Sequence, residues 1–290
     1  MMGNGSGNGN GSPKVALVVG AGAIKCAAAI GVQKVLEDAG IGADLVVGCS
    51  GGAMFAALIA LGYDAAQAEK LVMQMWTSEV TRRHDRKAML RALLPKLFRF
   101  DSSWGMIDDT LITDRFNKVY GDRTFADTKI PFHVVAADFE NGEKVVLSEG
   151  RLADAIRASI AIPFVFKPWR IGERLLIDGS LADPMPVDVA IRENATVILA
   201  IGFDNPYQRR VNSPVRFAFQ VTTVMTNNLL RANYAFHNLA HHSELILILP
   251  EFDGRVNAFD TARLPHIIER GARAMEEQLP YVKQVLAAAA

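Results

Sequence analysis

The sequence predicts an α/β fold of three layers, a mostly parallel central sheet with helices on both faces. Two runs near the start, "KVALVVGAG" (14–22) and "ADLVVG" (43–48), are short, apolar and β-rich, and each ends in glycine, as strands buried on both faces do. Each is followed by apolar residues at helical spacing, "AIGVQKVLEDAG" (29–40) and "GGAMFAALIALGY" (51–63). Strands joined through helices lie parallel and are covered on both sides. Further apolar strands follow at "ATVILAIGF" (195–203) and "ELILILP" (244–250).

The remaining elements follow in order. The first helix stops at Gly40 and the second near Gly62, and Asp64 is placed to cap a third. From Arg82 to Arg99 the chain turns cationic, with Arg82, Arg83, Arg86, Lys87, Arg91, Lys96 and Arg99 against Asp85 alone, interleaved with leucine and phenylalanine. "IDDTLITDRFNKVYGD" (107–122) reads as a helix. "IPFHVVAADFENGEKVVLSEG" (130–150) reads as two strands about an Asn-Gly turn. "LADAIRASIAIP" (152–163) is a helix stopped before Pro163, and "RLLIDGS" (174–180) a strand running into a turn. Val215 to His242 reads as one long helix, and Leu264 to Ala289 as a final helix that Pro280 breaks or kinks. With no internal repeat or linker, residues 14–290 read as a single domain after a flexible Gly/Asn/Ser leader, residues 1–13. That leader has neither the cationic start nor the apolar core of a signal peptide, nor the pattern for myristoylation.

Composition narrows the function. Half of the 290 residues are hydrophobic, enough for a substantial core. Lys plus Arg and Asp plus Glu are both 31, so no global field recruits nucleic acid or an anionic membrane, and any such contact must come from a local patch. Two cysteines, Cys26 and Cys49, are too few for a disulfide framework and point to a reducing, cytoplasmic setting. The one apolar stretch long enough to suggest a membrane span, Asp44 to Tyr63, holds four glycines and a serine. It reads better as a buried strand followed by a buried helix.

That stretch also carries the chemistry. Gly48, Ser50 and Gly52 form G-x-S-x-G between a predicted strand and a predicted helix, the context of a nucleophile elbow. The alternative is a turn built from small residues. A serine nucleophile needs a base, and Asp178, at the end of the strand in "LLIDGS", is a candidate, although Asp-Gly is also a common turn former. The histidines, His84, His133, His237, His241, His242 and His266, fall mostly inside predicted helices or strands; His241 and His242 are the least unsuitable as bases. The loop "VVGAGAIK" (18–25) fails as a dinucleotide fingerprint, because Lys25 stands where the third glycine belongs, so NAD is not expected. It can serve as an oxyanion hole through backbone N–H groups, or as a plain strand-to-helix turn.

The elbow "GCSGGA" (48–53), the loop "GAGAIKC" (20–26) and the Asp178-Gly179 pair resemble the patatin-like phospholipase family. "IRASIAIPFVFKPW" and "DGSLADPMPV" are similar to it as well, and the likeness runs from about Val15 to Pro250. The resemblance implies a Ser–Asp dyad without histidine, in which Asp178 acts directly on Ser50. It implies acyl hydrolysis of lipid esters without cofactor or metal, an oxyanion hole from Gly20, Ala21, Gly22 and Ala23, and supporting roles for Lys25, Gly48, Gly52 and Gly179. Ala21, Ala23 and Cys26 depart from the family's glycine-rich loop. Alanine keeps the N–H but disfavours positive φ, so a hole that needs that geometry would be misaimed. Two other readings stay open: a catalytically silent relative that binds a ligand or regulates, and a nucleotide-binding Rossmann-like domain. The segment 81–105, through Arg82 to Phe100, reads either as a lid or peripheral membrane contact, or as an amphipathic helix with a solvated basic face. Val215 to His242 is expected to line an acyl pocket or to pack in the core.

Overall fold

The computed structural model describes residues 13–75, 104–204, 207, 210–212, 214–240, 243–254, 256 and 260–289; the side chains of 214, 215 and 237–240 are not described. The leader up to residue 12 and the basic segment up to residue 103, with the lid expected there, lie outside the described residues, as do His84, His241 and His242. Eight strands form one mixed sheet: β1 (Val15–Val19), β2 (Leu45–Cys49), β3 (Phe132–Asp138), β4 (Lys144–Leu147), β5 (Trp169–Ile171), β6 (Arg174–Asp178), β7 (Val197–Ile201) and β8 (Glu244–Ile248). The order is β5-β6-β3-β2-β1-β7-β8, with β4 also paired to β3. The run β3-β2-β1-β7-β8 is parallel, as the apolar strand pattern predicts.

The helices are α1 (Ala28–Asp38), α2 (Gly51–Ala60), α3 (Ala65–Met75), α4 (Thr110–Tyr120), α5 (Leu152–Ser159), α6 (Val187–Arg192), α7 (Pro214–Ala240) and α8 (Leu264–Ala289). Strand alternation divides the core between two faces. Val15, Leu17 and Val19 of β1 join a cluster with α1, α2 and α8. Ala16 and Val18 join another with Val187 and Val189 of α6 and Leu230 of α7. Helices therefore cover both sides, which completes the three layers.

Local chemistry explains the boundaries. Asp64 caps α3, its Oδ1 accepting from the Gln67 N–H at 2.8 Å. The helix expected to reach Pro163 ends at Ser159, because Ala161 leaves it to accept the Asp178 N–H at 3.1 Å. α8 runs unbroken through Pro280. Short β5 and α6 went unread because three and six residues carry too little periodicity to register.

The registers of β3 set up everything that follows. Val135 pairs with both Cys49 and Val146, and Ala136 with both Asp178 and Val145. A strand residue has one partner per edge, so β4 occupies one edge of β3 while β2 and β6 share the other, end to end. The C-termini of β2 and β6 meet there.

α1 and α8 cross so closely that glycine is required. A Cβ at Gly31 would stand 1.9 Å from the Ile268 carbonyl oxygen, and one at Gly271 2.0 Å from that of Ala28. Gly31→Ala must therefore push these packed helices away from each other, and a loss of about 1–3 kcal/mol is expected from overpacking, to be measured by urea denaturation against wild type.

Candidate active site

Ser50 closes β2 and opens α2 with φ +53° and ψ −129°, a strained conformation for a residue with a side chain. Close packing holds it there. A Cβ at Gly48 would lie 2.6 Å from Ala53 Cα, at Gly51 2.4 Å from the Ala23 oxygen, and at Gly52 2.2 Å from the Val19 oxygen. The glycines of the G-x-S-x-G motif are thus a steric condition for bringing strand and helix together. The Ser50 N–H donates to Ser159 Oγ at 2.8 Å, and Ser159 Oγ donates to the Val135 carbonyl at 2.6 Å. A hydroxyl is inserted where a strand-to-strand bond would otherwise continue.

Asp178, at the end of β6, is buried, and its Oδ2 accepts from Ser50 Oγ at 2.7 Å. Its Oδ1 accepts from the Ser180 N–H at 2.9 Å, fixing the carboxylate plane. Burial pushes the Asp178 carboxyl above the usual carboxylate range, while the hydrogen bonds from Ser180 and Ser50 pull in the opposite direction. Gly179 is obligatory, since a Cβ there would stand 2.1 Å from the Val135 oxygen.

The loop after β1 divides its donors. The Gly20 N–H is committed to Ile201 O at 3.0 Å and the Ala21 N–H to Pro184 O at 2.8 Å, so two of the four expected oxyanion donors are already bound. The N–H groups of Gly22 and Ala23 donate to no described residue. Ala21 is not left-handed, whereas Ala23 adopts φ +51°. Alanine therefore does occupy the unfavourable region here, beside Gly51 at the start of α2. Cys26 Sγ donates to Gly20 O and Cys49 Sγ to Asp183 O, both at 3.2 Å. Burial raises both thiols well above their ordinary pKa, which makes them packed, unreactive groups.

Lys25 turns away from the Ser50–Asp178 pair. It is buried, its Nζ donates to Asp204 O, and burial lowers its pKa to about 8. It borders a cavity of about 540 Å³, lined also by Phe203, Leu230, Tyr234, Leu249 and Phe252, which includes neither Ser50 nor Asp178. His133 lies 3.6 Å from Glu193 and His266 3.8 Å from Asp253, so neither contacts Ser50.

Three groups at the site escaped the sequence reading. Ser159 and Ala161 clamp the backbones of Ser50 and Asp178, and their only signal is a serine amid apolar residues in "RASIAIP". Asp183, buried, accepts from Lys144 Nζ at 2.9 Å and Asn233 Nδ2 at 2.8 Å, tying β4 and α7 to the loop after Asp178. Its carboxylate looked like one more loop acid in "LADPMP".

Comparisons with known proteins bear on the family and the fold. A protein of Mycobacterium tuberculosis (strain ATCC 25618 / H37Rv), named as an uncharacterized NTE family protein, is 30% identical over 236 residues, covering 81% of this chain and 61% of its own length. The chain thus spans less than two thirds of that relative. Patatin-like phospholipase domain-containing protein 7 of Rattus norvegicus is 26% identical over 189 residues, 64% of this chain and 13% of that protein. Among solved structures, VipD from Legionella pneumophila shares the fold with a TM-score of 0.54 at 14% identity, covering 93% of this chain and 67% of VipD. The family model for patatin-like phospholipase matches residues 17–191, which include the elbow, the glycine loop and Asp178. The chain belongs to the patatin-like phospholipase family.

Proposed function

We propose that the protein is a serine acyl hydrolase that cleaves carboxylic esters of lipids through a dyad of Ser50 and Asp178. The observation that carries this reading is the 2.7 Å hydrogen bond from Ser50 Oγ to Asp178 Oδ2 at the head of a strained turn. Asp178 takes the hydroxyl proton as Ser50 Oγ attacks the ester carbonyl, and the tetrahedral oxyanion forms beside the start of α2. The N–H groups of Gly22, Ala23 and Gly51 supply its hydrogen bonds, aided by the positive end of the helix. Each such donor is typically worth about 2.7–4 kcal/mol of transition-state stabilisation. Collapse expels the alcohol, which takes the proton back from Asp178. Water, deprotonated by the same carboxylate, then hydrolyses the acyl-enzyme. The raised pKa of Asp178 brings it closer to that of a useful general base. A relative named as a phospholipase domain protein supports a lipid substrate.

Ser50→Ala is expected to abolish both labelling by a fluorophosphonate probe and hydrolysis of p-nitrophenyl esters; labelling that persists would overturn the nucleophile assignment.

Asp178→Asn should fold and lose turnover. In the wild type, kcat/KM falls as pH drops through the raised pKa of Asp178, so its acid limb lies above the ~3.9 of an ordinary aspartate. For stability the sign is reversed. A folded-state pKa above the unfolded one favours folding at low pH, and that contribution is lost as pH rises through the folded value. The thermal midpoint of Asp178→Asn at neutral pH is therefore expected to equal or exceed that of wild type, which calorimetry can check.

Ser159→Ala strands the buried Ser50 N–H and Val135 carbonyl. A loss of about 1–3 kcal/mol in denaturation is expected, with a fall in the rate of fluorophosphonate labelling and little change in KM.

A further inference from the structure

The long helix α7 does not line a core along its outer face. Phe217, Val221, Val224, Met225 and Phe236 are exposed, with Phe217, Met225 and Phe236 each at 63%. At helical spacing they fall within an arc of roughly 120°, along about 28 Å of helix. The opposite face is held to the protein by buried Thr226, Asn227 and Leu230 and by the Asn233–Asp183 bond. An apolar stripe of this size marks a contact surface.

Charge identifies what it contacts. Between Asp204 and Glu244 the chain has no acidic residue and four arginines, Arg209, Arg210, Arg216 and Arg231, in a protein whose overall charge is zero. This is a local basic stretch of the kind that a neutral composition requires for an anionic partner. A symmetric contact with a second copy would set this acid-free, arginine-bearing helix against itself with no carboxylate of its own to pair. Basic residues flanking protruding Phe and Met side chains are the pattern of a helix lying in a lipid interface. α7 also packs, by its opposite face, on the turn that follows Asp178, so a surface bound to its outer face lies one helix thickness from that turn.

We propose that α7 docks the protein on anionic lipid surfaces, with Phe217 and Met225 entering the headgroup region and Arg210 and Arg231 meeting phosphates. The choice of a lipid surface rests on the lipid-ester reading of Ser50 and Asp178. Among the described residues no helix is long and apolar enough to cross a membrane, so the contact is peripheral.

The test is flotation of the full chain carrying Ser50→Ala, which needs no turnover, with vesicles of phosphatidylcholine alone or mixed with phosphatidylglycerol. Binding is expected to the mixed vesicles, to weaken with salt, and to fall at least about tenfold in a Phe217→Ser, Met225→Ser double variant. Arg231→Glu should weaken binding to mixed vesicles and leave binding to phosphatidylcholine unchanged. Circular dichroism, and unchanged hydrolysis of a monomeric short-chain ester by the double variant with Ser50 intact, report its fold. Absent vesicle binding, or binding that the double variant leaves unchanged, overturns the proposal. So does a dimer in sedimentation equilibrium that the double variant dissociates, which would assign the face to a second copy. If the wild type hydrolyses no ester yet floats with the mixed vesicles, the hydrolase reading fails and the docking surface stands.

Discussion

The structure turns on the sharing of one edge of β3 by two strands that run in opposite directions. β2 pairs with it as far as Cys49 opposite Val135, and β6 ends at Asp178 opposite Ala136. Because the two strands end against each other, the residue that leaves β2 and the residue that ends β6 are neighbours, although 128 positions separate Ser50 from Asp178. Such a junction interrupts the ladder and exposes backbone groups in a dry interior, where each unpaired one is costly. The Ser159 hydroxyl satisfies two of them, the Ser50 N–H and the Val135 carbonyl. Ala161 O accepts the Asp178 N–H. The end of α5 is therefore involved in the sheet's hydrogen bonding as much as it is a helix terminus.

The site concentrates features that oppose stability. Ser50 and Ala23 both sit at positive φ, and the buried Asp178 carboxyl has no cationic partner among the described residues. Each is tolerable because the surroundings are over-determined. Gly48, Gly51 and Gly52 let β1, β2 and α2 approach to distances that a single methyl would forbid. The parallel strands beneath are almost wholly buried. Rigid packing of this kind holds a strained turn in one conformation, which a hydroxyl aimed at a carboxylate requires.

How far the sequence could be read follows from how local each signal is. The apolar strands, the paired helices and the capping by Asp64 are written in contiguous residues, and they appear where their periodicity places them. Ser50 and Asp178 were legible because their flanking glycines mark turns. Ser159 and Asp183 were not, because their importance lies in partners 109, 24, 39 and 50 residues away. The long apolar segment from Val215 was read for pocket or core because hydrophobicity suggests burial. The structure does bury Leu230 in the core and sets Leu230 and Tyr234 against the cavity, but it leaves Phe217 and Met225 on the other face mostly in solvent, and hydropathy alone cannot tell a covered face from a presented one.

The alanines in the glycine loop show why a motif must be read through its hydrogen bonds. Ala21 replaces a glycine at a position that is not left-handed and whose N–H serves Pro184 O, so a methyl there opposes neither backbone conformation nor donor. Ala23 is left-handed at φ +51°, and an alanine in that region gives up only about 1–2 kcal/mol relative to its preferred conformation. Cys26 directs its thiol to Gly20 O, bracing the loop where the family pattern has another glycine. Ala21 thus tolerates its methyl and Cys26 gains an internal bond, while Ala23 keeps a conformational cost. Among the described residues the N–H groups of Gly22 and Ala23 have no backbone acceptor, and the backbone of Ala23 lies against Gly51 at the start of α2.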